Sequence, residues 1–107
     1  MSNIAKSRHE VLVSSLGDPI QAGRVTARFA DIVRDSVVAD MRSGGLRHMT
    51  AQEVQRRTAI LYDCFMLLRA ECGYSTTHAL DALPVALRAR LDGVDWTPAP
   101  ADRAWGG

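Results

Sequence analysis

Residues 49–73, MTAQEVQRRTAILYDCFMLLRAECG, decide the fold class, because they form the longest stretch of this chain with a clear helical pattern. Apolar residues recur there at spacings of three and four, as along one side of an α-helix: Val54, Leu61, Phe65, Leu68 and Cys72. A second apolar row contains Ile60, Cys64 and Leu67. The pattern predicts a helix over about 50–72 whose second half must be covered from several directions.

Short sequence motifs mark where this central helix begins and where it ends. Thr50 and Glu53 have the capping-box spacing, in which the threonine hydroxyl accepts from the Glu53 amide and the Glu53 carboxylate reaches back to the Thr50 amide. Gly73 stands where glycine ends a helix in the left-handed conformation. Asp63 interrupts the apolar half. We expect it on a water-facing strip, the alternative being a pair with an arginine of another helix.

The remaining segments also predict helices. A first helix covers 3–16, and Asp18-Pro19 combines an N-cap with a first-turn proline, so a second helix runs from there to about 43. After the central helix, Pro84 interrupts a leucine row, which predicts a short helix over 76–82 and another from 84 to 91. One kinked helix is the alternative. The sequence thus predicts an all-α compact bundle of four to five helices around a central apolar helix, in one domain over 1–93.

The C-terminal residues 94–107, VDWTPAPADRAWGG, differ in composition from the helical part. Prolines and glycines predict an extended tail. Both tryptophans are in it, and aromatic residues are scarce in disordered segments, so we expect Trp96 to fold back onto the helices. Deletion of 97–107 is expected to leave helicity and melting temperature nearly unchanged.

Length, charge and cysteine use restrict the class of protein. The chain has 107 residues, 47% of them hydrophobic, and a formal net charge of +1, which suits a single domain with a real core. No apolar run is long enough for a signal peptide or a bilayer span, so we expect a cytoplasmic protein without a membrane partner. Cys64 and Cys72 lie about 12 Å apart along one helix and cannot form a disulfide there.

Residues that could support catalysis or metal binding are sparse. His9, His48 and His78 have no second ligand at helical or turn spacing. The two cysteines fall on apolar rows, where burial suppresses thiol reactivity. We therefore predict no catalytic residue, no metal, no cofactor and no enzymatic activity.

The arginines are the remaining candidates for function. They are concentrated around the second loop and the start of the central helix, where free amides add to the attraction for anions, and they recur on helix two. We predict a non-enzymatic protein–protein interaction module, a small regulator, inhibitor or adaptor that binds a larger protein or protein complex. Its predicted contacts are Arg24, Arg28, Arg47, His48, Arg56, Arg57, Trp96 and Trp105.

Two other interpretations of the same residues stay open. The arginine-rich loop can be merely solvated, without a partner. Alternatively, the protein is a small, dimeric nucleic-acid-binding transcriptional regulator whose arginines contact phosphates, although no basic stripe supports this. Apolar surface left over by a small bundle would form a homodimer seam or a partner site.

Overall fold

The computed structural model describes residues 7–99, which form four helices and no strand. The all-α class is confirmed. The first residues of the predicted N-terminal helix lie outside the described part of the chain, as does Trp105. The helices are α1 (Arg8–Leu16), α2 (Pro19–Arg42), α3 (Ala51–Ala70) and α4 (Thr76–Asp92).

The starts of α2 and α3 lie where the sequence places them. Helix α1 instead begins at Arg8, after an extended Ser7 whose hydroxyl caps it, so the predicted helix over 3–16 does not run through residue 7. The Asp18 carboxylate accepts from the Ile20 amide at 3.0 Å, with Pro19 in the first turn of α2. The Thr50 hydroxyl accepts from the Glu53 amide at 3.1 Å and caps α3. The Glu53 carboxylate, however, accepts from arginines further along α3. A stronger, charged donor has thus replaced the weaker half of the predicted capping box.

Helix α4 is one continuous helix with Pro84 inside it, so the predicted break into two helices, and with it a fifth helix, is not found among residues 7–99. Proline removes one intrahelical hydrogen bond. The residues on both sides of it are nevertheless buried against the rest of the bundle: Ala79, Leu83, Ala86 and Leu87. Their burial holds both halves of α4 in place and outweighs the local preference for a helix end.

The core is shared between two helices. Both α2 and α3 contact all three other helices, whereas the backbones of α1 and α4 do not approach each other in the described region. The expectation of a single central helix over 50–72 is therefore not confirmed. Phe29 of α2 packs nearly edge-on against Tyr62 and Phe65 of α3, with ring centroids 5.0 and 5.6 Å apart. None of the helices in residues 7–99 has the length and hydropathy of a bilayer-spanning segment.

The contacts also fix the direction of the helices. Arg57, early in α3, contacts Asp40 near the end of α2. Arg69, at the end of α3, donates to Thr76 at the start of α4. Helix α3 is thus antiparallel to both neighbours, and α2 and α4 run parallel to each other. The contact between Asp40 and Arg88 joins the ends of these two helices.

Asp63 combines the two alternatives considered for it. It is half exposed, and its carboxylate accepts from the Arg8 guanidinium of α1 at 3.1 Å. Water screens such an exposed pair, and holding two long side chains in place costs entropy, so it adds little to stability. The pair helps to orient α1 without determining the fold.

Residues 94–99 fold back along α4. Trp96 is half-buried against the core, as predicted, and Pro98 is buried. The Tyr74 hydroxyl, next to the N-cap of α4, donates to the Ala99 carbonyl at 2.7 Å. Part of the segment assigned to the tail therefore belongs to the packed structure.

These contacts change the expected effect of truncation. A chain ending at Trp96 loses the Tyr74 hydrogen bond, worth about 1 kcal/mol, together with the burial of Pro98. We expect its melting temperature to fall by about 5 °C or more, relative to a chain ending at Ala101, which keeps every described residue. Circular dichroism during heating measures both chains. Equal melting temperatures would show that residues 97–99 add nothing to stability.

Candidate protein-binding groove

Arg57 is directed into the protein. Its side chain is 4% exposed, and the guanidinium donates to Glu53 at 2.7 Å, to Asp40 at 2.7 Å and to Ser36 at 3.0 Å. A buried charge requires partners of this kind, because desolvation is expensive. Arg57, which the sequence predicts to contact a partner, is therefore buried and binds residues of this protein instead.

The network around Arg57 joins three helices. The second oxygen of Asp40 accepts from Arg88 of α4 at 2.8 Å, and Arg88 also pairs with Asp92 at 3.0 Å. Glu53 accepts from Arg56 as well, at 2.8 Å. Asp40 and Glu53 thus each contact two guanidinium groups.

These arginines alter the acidity of both carboxyl groups. The hydrogen bond from Arg88, followed by that from Arg57, lowers the pKa of Asp40 although partial burial opposes the shift. The hydrogen bond from Arg57, followed by that from Arg56, lowers the pKa of Glu53 in the same way. The ionised network is the stable form at neutral pH.

The other predicted contacts fall into separate groups. Arg24 and Arg28 are exposed on α2, one turn apart, and neither is in an ion pair within residues 7–99. Arg47 and His48 are exposed in the loop beyond the far end of α2, about 20 Å from Arg28 along the helix axis. Arg56 is half exposed but pairs with Glu53. The structure does not gather the predicted residues into one patch.

Two hollows lie along the seam between α2 and α4, of about 430 Å³ beside Arg24 and about 260 Å³ beside Arg28. We call the two together the α2–α4 groove. The hollow beside Arg28 is mainly apolar, with Ile32, Pro84 and Leu87 in its lining. The hollow beside Arg24 is mixed, because its lining contains Asp18, Gln21 and Thr76 as well as Val25 and Leu80.

The groove exists because the side chains along its second half are short. Ser36 and Ala39 of α2 face Pro84 of α4 across it. The two helices are held together at their ends by Asp40 and Arg88, but nothing large fills the space before that pair. The sequence pattern indicated Arg24 and Arg28 as contacts, but it did not indicate the groove. The available signal was the pair of small residues three apart on α2, which is too common to be specific.

A further hollow lies on the other side of α4. Trp96 lines it together with Val85 and Val94, which are 57% and 59% exposed. Pro84 and Arg88 border both this hollow and the groove. Helix α4 therefore presents apolar surface on two adjoining sides.

The histidines and cysteines of residues 7–99 lie in different surroundings. Among residues 7–99, no three potential metal-ligating side chains of His, Cys, Asp or Glu form a cluster. Cys64 is buried, and burial raises the pKa of its thiol. The Nδ1 atom of His9 lies 3.2 Å from the Tyr62 hydroxyl, and the His78 ring stacks on Tyr74 at 3.8 Å.

Comparison with known proteins adds no assignment. The chain matches no protein-family model, no curated protein and no solved structure. The case for its function therefore depends on the geometry of its surface.

The network predicts unequal effects of removing its members. Asp40→Ala leaves the buried Arg57 charge undercompensated and should lower the free energy of unfolding by about 3 kcal/mol. Arg57→Met should cost less, because Asp40 keeps Arg88 and Glu53 keeps Arg56. Urea unfolding measures the stability of both variants. The control is Asp35→Ala, which removes an exposed carboxylate from the same helix and should stay within about 0.5 kcal/mol of the native chain. A reversed order would show that the network is not held by the buried charge.

The lowered pKa values also predict how stability depends on pH. A carboxylate whose pKa is lower in the folded state contributes stability above its unfolded value of about 4, and this contribution is lost as pH falls through the folded value. The free energy of unfolding should therefore decrease as the pH falls below about 4. Asp40→Asn should be less stable at pH 7 but flatter in this range. Parallel curves for the native chain and this variant would contradict this role of Asp40.

Proposed function

We propose that this protein is a non-enzymatic protein-interaction module, a small regulator, inhibitor or adaptor that binds a larger protein through the α2–α4 groove. The supporting observation is that a mainly apolar hollow between α2 and α4 lies beside Arg28, and that Arg28 and the neighbouring Arg24 are exposed and form no ion pair in residues 7–99. Apolar surface supplies the affinity of such interfaces. Arginine is enriched in them, because its planar head contacts carboxylates and apolar surface alike.

The groove lies beside two of the predicted arginines that remain accessible to a partner. Arg57 is occupied inside the protein, and Arg56 is engaged with Glu53. Arg24 and Arg28 have no such partner among the described residues and border the two hollows. The proposed contact surface is therefore smaller than the one predicted from the sequence and lies on one side of the bundle.

The nucleic-acid alternative has less support. A phosphate backbone is bound by a continuous series of cations, because each contact neutralises one phosphate. Here Arg57 is buried, and Arg47 is separated from Arg28 by much of the length of α2. These positions favour a protein partner over a nucleic-acid backbone.

A pair of variants on opposite faces of α2 tests the proposal. Ala39→Arg places a long side chain in the groove. Ala30→Arg adds the same residue to the opposite side of the same helix, two and a half turns away, where it borders a different hollow. In affinity capture from the native lysate with nuclease present, we expect one protein recovered in near-equal amounts with the native chain and with Ala30→Arg. Ala39→Arg should lose it.

The controls exclude trivial explanations. Both variants must melt like the native chain, so that loss of capture reports on the groove. Light scattering of the pure protein shows whether a second copy is the partner. Capture that survives Ala39→Arg, or that nuclease abolishes, would overturn the proposal.

A further inference from the structure

Residues 94–99, which we call the strap, lie along α4 in an extended conformation. Gly93, with a φ of +68°, ends α4, and the Val94 amide donates to the Ala89 carbonyl at 2.9 Å. Beyond Val94, no backbone–backbone hydrogen bond joins the strap to the rest of residues 7–99. The strap is therefore held by its side chains and by a single carbonyl group.

The strap buries every second side chain. Pro98 is buried and Trp96 is half-buried, whereas Asp95, Thr97 and Ala99 are exposed. This alternation is that of an extended chain lying flat on a surface, because successive side chains point to opposite sides. The contact is thus made by an aromatic residue and a proline two positions apart.

Tyr74 binds the backbone next to the buried proline. This residue is 8% exposed, and its hydroxyl donates to the Ala99 carbonyl at 2.7 Å. The His78 ring stacks on the tyrosine ring, with centroids 3.8 Å apart and 5° between the planes, which helps to fix its orientation. Aromatic side chains line the sites at which proteins bind proline-containing extended peptides. The surface under the strap has this character and is occupied by the chain's own residues.

The strap covers this surface incompletely. A hollow of about 500 Å³ remains beside it, lined by Trp96 together with Val85 and Val94, and Val85 is 57% exposed. A segment with a longer apolar part covers Val85 as well and so gains contacts that the strap does not make. A ligand displaces an internal segment only through such a difference in affinity.

The attachment of the strap is suited to displacement. Asp95 forms no ion pair among the described residues, and the bond from Tyr74 is the one hydrogen bond described for the strap beyond Val94. Segments with few hydrogen bonds and few buried contacts open locally before the whole protein unfolds. The short connection to α4 nevertheless keeps the strap at a high effective concentration near its site, so a competitor must bind more tightly.

We infer that Tyr74 and the adjoining side of α4 form a binding site for an extended segment of a partner protein, with an aromatic or large apolar residue two positions before a proline. The strap occupies this site within the chain, and the partner segment binds by displacing it. The site is separate from the α2–α4 groove, and the inference does not depend on the function proposed for that groove.

A selection on two forms of the full chain tests the inference. In Trp96→Ser combined with Pro98→Ser, which we call the released variant, the strap loses both side chains that hold it. A displayed library of random peptides of about twelve residues is selected on the released variant and counter-selected on the native chain, whose strap covers the site. We expect the enriched peptides to share a proline with an aromatic or large apolar residue two positions before it.

The leading peptide, made synthetically, is then titrated into isotope-labelled protein and followed by nuclear magnetic resonance. The amide signals that shift should be those of Tyr74, His78 and Val85 and their neighbours. The native chain should bind the peptide about tenfold or more weakly than the released variant, because its site is open for only a small fraction of the time.

Two tyrosine variants, made in the released variant, test the role of the hydroxyl. Tyr74→Phe removes the donor to the peptide carbonyl and should weaken binding about fivefold, the effect of one hydrogen bond. Tyr62→Phe is the matched control, because it removes a hydroxyl that lies beside His9 instead, and it should leave the affinity unchanged.

Circular dichroism must show that the released variant is helical at the temperature of the titration. If it is not, Pro98→Gly, which loosens the strap but keeps Trp96, takes its place in every step. Absence of enriched peptides, equal binding to the native and released chains, or an unchanged affinity in Tyr74→Phe would each overturn the inference. A native dimer that dissociates in the released variant would identify the strap of a second copy as the occupant, and the inference of a partner protein would be wrong.

Discussion

The guanidinium of Arg57, held by Glu53, Ser36 and Asp40 at 2.7–3.0 Å, is the interaction on which the arrangement of the helices depends. An arginine retains its charge when buried, so its carboxylate partners must stay in place around it. Glu53 is on the same helix, whereas Asp40 is on α2 and in turn binds Arg88 of α4. One buried charge thereby sets the register of three helices.

The groove follows from this constraint. The Asp40–Arg88 pair holds the ends of the parallel helices α2 and α4 together, while the short side chains before it leave space between them. Larger residues at Ser36 and Ala39 would fill that space and let the two helices pack without a hollow. The same pair that stabilises the bundle thus helps to keep the walls of the proposed site at a fixed separation, which reduces the entropy lost on binding.

Arginine has two distinct roles in this protein. Arg57 is an internal cation held by the carboxylates of Asp40 and Glu53. Arg24 and Arg28 are exposed, without ion pairs in residues 7–99, and border the hollows between α2 and α4. The residue type is the same, and the difference lies in the neighbours supplied by other helices. Arg24 and Arg28 are accessible to a partner, whereas Arg57 is not.

The sequence by itself determined the helical class, the caps at Asp18 and Thr50 and the apolar rows, because these depend on residues a few positions apart. Only the tertiary structure decided the inward turn of Arg57, since Asp40 lies 17 positions away in the chain. It also kept α4 intact across Pro84 through burial on both sides. The groove belongs to the same category, because it is a property of two helices brought side by side by a third.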